Sequence, residues 1–183
     1  MYKEKITLRE SIQGDKNEEL KRVTLVLPKF GEYEKAFIEA DGNEERFVDL
    51  VITICSGLSQ KEIERLKRPD FNTIELWVRE RSTKQAEYFF ALEGEELEKD
   101  SPKLLQPLKG LKQVNLSTPS VKASRMMGKI EPTKDNPYAQ SKYIVKACSE
   151  LMDNQIEELS MPDWNQLISR LDDFLNQASD FFQ

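Results

Sequence analysis

The sequence predicts an α+β protein built of two tandem homologous repeats, each a short β-hairpin or strand followed by three to four helices. Three observations predict it. Residues 55–89 align with residues 148–182 without a gap, at a constant offset of 93. Upstream, Leu-Lys-Arg-Val-Thr-Leu-Val-Leu-Pro ending at Pro28 reappears as Leu-Lys-Gln-Val-Asn-Leu-Ser-Thr-Pro ending at Pro119, now at offset 91. Apolar residues alternate ahead of Pro28 and recur at helical spacing after it, the two periods of a strand and a helix. The paired positions include Cys55/Cys148, Leu58/Leu151, Ile63/Ile156, Leu66/Leu159, Pro69/Pro162, Asp70/Asp163, Phe71/Trp164, Ile74/Leu167 and Val78/Leu171. Apolar positions stay apolar while outer charges drift, as expected when one packing solution is kept. The repeats divide the 183 residues into units 1–91 and 92–183, each marginal alone and therefore expected to pack on the other or on a partner.

In order along the chain, Ile6 and Leu8, then Val23, Leu25 and Leu27, alternate on either side of the turn-rich Gln13-Gly-Asp-Lys-Asn. That pattern reads as a β-hairpin with a long loop, closed by Pro28, which cannot donate to a ladder. A short helix follows over 32–40 with Tyr33, Ala36, Phe37 and Ala40 on one side, stopped by Asp41-Gly-Asn. Phe47, Val48, Leu50, Val51, Ile54, Cys55 and Leu58 make the next stripe. Gly57 suits a left-handed helix cap; its counterpart is Glu150, so the second repeat has to end this helix differently. Ser59-Gln-Lys-Glu62 has capping-box spacing and starts a helix carrying Ile63 and Leu66. Pro69 breaks it, and a last helix carries Phe71, Ile74 and Val78 toward Tyr88 and Phe89.

The second repeat opens at about Leu92 with Glu-Gly-Glu-Glu-Leu-Glu-Lys-Asp, which keeps the length but not the alternation of the first. Its first strand is therefore in doubt, while a second strand is expected over 114–118. Residues 124–130 stand in for the short helix, and the loop 131–137 takes the two extra residues. Tyr143, Ile144, Ala147, Cys148 and Leu151 repeat the core stripe, and 163–182 repeat the final helix.

The chain carries 27 basic and 33 acidic side chains for a net charge of −6. Neither half has a basic stripe, which argues against nucleic acid as a partner. No apolar run approaches membrane-spanning length and no signal peptide is evident, so a cytoplasmic protein without a membrane partner is expected. Histidine is absent, which removes the usual general base and the commonest metal ligand. No zinc spacing, Walker loop, dinucleotide fingerprint or nucleophile elbow occurs, so no catalytic, cofactor or metal residues are assigned. Asp70 and Asp163 could pair across a pseudo-twofold axis as a carboxylate site, but each follows a proline at a helix start, where capping accounts for it. Cys55 and Cys148 lie on apolar stripes and read as buried thiols.

Partner contacts are the remaining candidates. Trp77 flanks the Phe71-Ile74-Val78 stripe and faces Arg170 in the alignment; it is either a partner contact or covered by the neighbouring repeat. Phe174, Leu175, Ala178, Phe181 and Phe182 keep the C-terminal run apolar to its end, where chains usually fray, so these aromatics are expected to dock on the core or on a partner.

The order of a strand, a polar turn, Val-Thr-Leu-Val-Leu-Pro28, a helix, a stripe ending Cys55-Ser-Gly-Leu58-Ser, and Ile63-Glu-Arg-Leu66 before Asp70 resembles the tail assembly chaperones of Mu-like tailed bacteriophages. Pro28, Gly57, Leu58, Ser59, Leu66 and Asp70 carry the resemblance over about residues 5–80. The second repeat keeps Pro119, Leu151, Leu159 and Asp163 but lacks the glycine and serine, and a duplicated unit departs from the family's usual single one. The resemblance implies a non-enzymatic assembly factor in the bacterial host cytoplasm that binds the tail tube or tape-measure protein before it polymerises. The alternative is a duplicated peptide-binding adaptor unrelated to phage tails.

Overall fold

Ile6, Leu8 and Ile12 alternate with polar residues along β1 (Lys3–Gln13), which pairs antiparallel with β2 (Glu19–Val26). The register runs from Lys3↔Val26 to Thr7↔Arg22 and resumes at Ile12↔Leu20 after a bulge. Pro28 ends the hairpin, and α1 (Phe30–Ala40), α2 (Glu44–Ser56), α3 (Gln60–Arg65), α4 (Arg68–Thr83) and α5 (Ala86–Leu92) follow. The second half holds the hairpin β3 (Lys103–Leu108) and β4 (Leu111–Gln113), then α6 (Val121–Met127), α7 (Ala139–Cys148), α8 (Asp153–Glu158) and α9 (Met161–Asn176). This computed structural model describes residues 2–178, and over them the protein is a mixed α+β fold with two small antiparallel sheets.

Local chemistry sets the helix ends. Asn43 caps α2 by accepting from the Arg46 amide at 3.0 Å, and Gly57 ends it in the left-handed region at φ 73°. Ser59 and Glu62 close the expected capping box on α3. Glu62 also accepts from the Asp15 amide at 2.9 Å, so the same carboxylate ties the helix start to the hairpin loop. The bounds of α8 and α9 are those of α3 and α4 displaced by 93 residues. In the second half α7 stops at Cys148 with Ser149 extended, the different ending that Glu150 in place of glycine requires.

Four expectations change. The helix through Phe71 stops at Thr83 and Lys84 and Gln85 are extended before α5 begins, so five helices follow the first hairpin where three to four were expected. The break is held from α9: Asn165 Nδ2 donates to the carbonyls of Ser82 and Lys84, and Gln166 accepts from the Glu87 amide. The helix expected over 124–130 is α6, starting earlier because Ser120 accepts from the Ala123 amide as its cap. The final helix ends at Asn176, with Gln177 extended. The strand expected over 114–118 is β4, three residues earlier.

The first strand of the second half exists as β3, displaced. Leu8 and Leu104 are both buried, and Arg9 and Leu105 each donate an amide to the aspartate of their own half, Asp70 and Asp163. This places the first strands at an offset of 96, against 91 for the second strands and 93 for the helices. The five residues are saved at the turn: residues 13–19 lie between the paired Ile12 and Leu20, whereas Lys109 and Gly110, the latter at φ 78°, suffice between the paired Leu108 and Leu111. The amides of Val114 and Leu116 then donate to Pro102 and Asp100, matching the pairs Ile6↔Val23 and Glu4↔Leu25.

Two hydrophobic clusters form. The first takes Leu8, Ile12, Val23, Leu25, Ile52, Cys55, Ile63, Ile74 and Trp77 from the first half. The second takes Leu104, Val114, Val145, Cys148, Ile156, Trp164 and Leu167 from the second half, and Phe30 from the first.

Candidate interaction site

The two halves meet where the residues after Pro28 enter the second half. The Phe30 amide donates to Leu159 O at 2.7 Å and the Met161 amide donates to Pro28 O at 2.9 Å, a two-bond strand-like clasp. Pro28 makes this possible by ending β2 while keeping its carbonyl. The clasp lands on Leu159 and Ser160, the extended link between α8 and α9. Phe30 is 0% exposed and stacks on Trp164, ring centroids 3.8 Å apart at 19°, with Tyr138 edge-on at 5.4 Å. Gly31 follows because a Cβ there would stand 2.9 Å from the Glu157 side chain. Ion pairs flank the plug: Lys29 with Glu158 at 2.7 Å, and the buried Glu34 with Lys142 at 2.8 Å.

The surface formed by the positions 93 residues earlier is open. A trough of about 570 Å³ lies over α2, α3 and α4, lined by Glu45, Asp49, Glu64, Leu66, Arg68 and Phe71 among others. Subtracting 93 from Tyr138, Lys142, Glu157, Leu159, Met161 and Trp164 gives these six positions. Leu66 and Lys67 have the same extended backbone as Leu159 and Ser160, with φ and ψ of −60°, 141° and −70°, 144° against −58°, 139° and −67°, 153°. Arg68 lies over the Phe71 ring at 5.0 Å. Beside the trough, Tyr33, Phe47, Val48, Val51 and Val78 line an apolar cleft of about 180 Å³.

Trp77 is 5% exposed and belongs to its own half. Its indole N–H donates to Glu4 on β1, and the Arg81 guanidinium covers the ring at 4.6 Å. Its counterpart Arg170 donates to Asp100 at 2.7 Å, and Asp100 is the 96-offset partner of Glu4. Trp77 and Arg170 thus each give an N–H to a carboxylate, Glu4 on β1 and Asp100 just ahead of β3. Phe174 is half-buried under the Arg170 guanidinium at 4.5 Å. Phe181 and Phe182 lie outside the described residues.

Asp70 and Asp163 serve separate hairpins. Asp70 Oδ1 accepts from the Arg9 amide at 2.9 Å. Asp163 accepts from the amides of Leu105 and Gln106 at 2.6 and 3.1 Å and from the Ser160 hydroxyl at 2.6 Å. Each therefore straps a helix N-terminus to the bulged stretch of a first strand, whose amides the bulge leaves out of the ladder. Helix capping alone, the expectation from sequence, undercounts this role. Burial pushes the Asp163 carboxyl up to about 6, against hydrogen bonds that favour its charged form. Cys55 and Cys148 are buried thiols, each raised by burial, Cys55 to about 12. Among the described residues no group of three or more histidine, cysteine or carboxylate side chains is placed to hold a metal ion, and no helix is long and apolar enough to cross a membrane.

The trough escaped the sequence reading because Leu66 and Phe71 look like core residues. A usable signal was present in the paired positions: Glu34 aligns with Arg125 and Lys142 with Asp49, a reversal of both charges of one ion pair. Comparison with protein-family models, with characterised proteins and with solved structures finds no match to this chain.

Proposed function

We propose that this protein is a tandem duplication of one α+β unit and acts by binding without turnover, as a tail assembly chaperone that holds a phage tail tube or tape-measure protein before polymerisation. The observation that carries the reading is the layout: a hairpin running into Pro28, then helices in which Gly57-Leu58-Ser59 leads into Leu66 and Asp70. The duplication is supported by the shared helix bounds, by the two aspartate straps, and by Cys55 and Cys148. Each cysteine is buried and precedes a serine that donates to the carbonyl four residues back and accepts from the amide two residues on. A holding contact calls for an apolar centre and a polar rim, and the cleft at Tyr33, Phe47 and Val51 beside the charged trough has that composition. Its work is to bind moderately and release.

Co-expression with a tail tube or tape-measure protein tests this. The client stays in the supernatant when the chaperone is present and aggregates without it. Phe47→Glu, at a half-buried residue of the cleft, weakens the effect in a chain that still melts cooperatively. A folded full-length chain that leaves every tail protein insoluble overturns the proposal.

A further inference from the structure

The junction inside the chain has a donor and an acceptor, and each half carries one of each. The first half donates Pro28, Phe30 and α1; the second accepts on Tyr138, Lys142, Glu157, Leu159 and Trp164. That leaves the acceptor of the first half, the open trough, and the donor of the second half without a counterpart in the chain. The second donor is Pro119, Ser120, Val121 and α6, at offset 91 from Pro28, Lys29 and Phe30. Ser120, at φ −72° and ψ 156°, has nearly the backbone of Lys29 at −81° and 147°. Val121, in the place of the fully buried Phe30, is 68% exposed, and Met126 on the same helix is also exposed.

The charges around the open donor and acceptor are complementary. In the internal junction Glu34 of the donor meets Lys142 of the acceptor. In the open pair the same positions are Arg125 and Asp49. Gly31, against Glu157, becomes Lys122, against Glu64. A trough rich in Glu45, Asp49 and Glu64 thus matches a segment with Lys122 and Arg125 and no acidic side chain over residues 119–130.

We propose that the trough of one chain takes the segment 119–127 of a second copy, repeating the internal junction between molecules. Val121 seats on Phe71 between Leu66 and Arg68, Arg125 pairs with Asp49, and Lys122 pairs with Glu64. Donor and acceptor are different surfaces, so the contact is heterologous and propagates head to tail into a ring or a helical filament, whichever the rotation allows. Valine fills less of the cradle than phenylalanine and the ion pairs sit at the rim, so association depends on concentration and is weakened by salt. This rests on the correspondence between the halves and stands whether or not the protein handles tail proteins.

Sedimentation velocity on the full chain tests it. The weight-average mass rises with concentration and falls back as salt is added. Arg125→Glu alone and Asp49→Arg alone each return the sample to the mass of a single chain. Mixing the two variants restores assembly, because Glu at 125 of one faces Arg at 49 of the other and the reverse contact is the native pair. Val121→Asp also abolishes assembly, and all three variants keep the wild-type circular dichroism melt, since they change the exposed Arg125 and Val121 and the rim residue Asp49. A chain that is monomeric at every concentration overturns the proposal. So does association that both charge reversals leave intact, or a mixture of the two that fails to reassemble.

Discussion

Replacing Phe30 with alanine separates a residue's place in the chain from its place in the fold. Phe30 belongs to the first half by sequence, yet it is fully buried in the second half's cluster and stacked on Trp164. Truncating a buried phenylalanine costs about 3–5 kcal/mol through lost transfer energy and the cavity left behind. The upper part of that range applies, because the stack on Trp164 and the edge contact with Tyr138 add ~0.5–1.5 kcal/mol beyond burial. The backbone clasp with Leu159 and Met161 survives the change, so the loss reports the ring alone. Denaturant titration reads the loss, and amide hydrogen exchange locates it. Protection should fall first in α7, α8 and α9 while β1, β2 and α2 hold theirs. Val121→Ala in dilute solution is the control: its position corresponds but its side chain is exposed, so it should change stability by no more than about 0.5 kcal/mol. A Phe30→Ala loss below ~1 kcal/mol, or exchange confined to the first half, would refute the reasoning.

Ile63→Ala and Ile156→Ala should each cost about 2–5 kcal/mol, measured by denaturant titration, since both are buried in their own clusters; an unshifted midpoint for either would mean that its site is not packed. Stability should also carry an Asp163 signature with pH. Its folded carboxyl is raised from 3.8 to about 6 by burial, so between those values the folded chain keeps a proton that the unfolded chain has lost. The contribution is present below about pH 4, falls as pH rises through about 6, and amounts to ~3 kcal/mol. Asp163→Asn lacks that slope, so its stability relative to wild type should improve between pH ~4 and pH ~7; parallel pH profiles would refute the assignment.

What the sequence determined by itself was local. Pro28, Gly57, Ser59 and Pro69 punctuate the backbone through their own φ restrictions and hydrogen bonds, and apolar spacing marks the buried faces of α2, α4, α7 and α9. Those features act over a few residues, so the mixed α+β character and the approximate places of several helices were legible. Tertiary structure decided whatever depends on which surface fills which space. β3 was in doubt because residues 93–100 do not alternate; the strand lies later, with its buried Leu104 96 residues after Leu8. The break at Lys84 depends on Asn165 and Gln166, some eighty positions away. Trp77 looked available because an aromatic flank reads alike against solvent and against a strand; Glu4 on β1 settles its place. Phe30 lies ahead of the helix expected over 32–40 and drew no reading from sequence; only the stack on Trp164 reveals it as a core residue of the other half. Periodicity records that a face is covered, whereas the identity of the cover is a long-range packing result that no window of sequence contains.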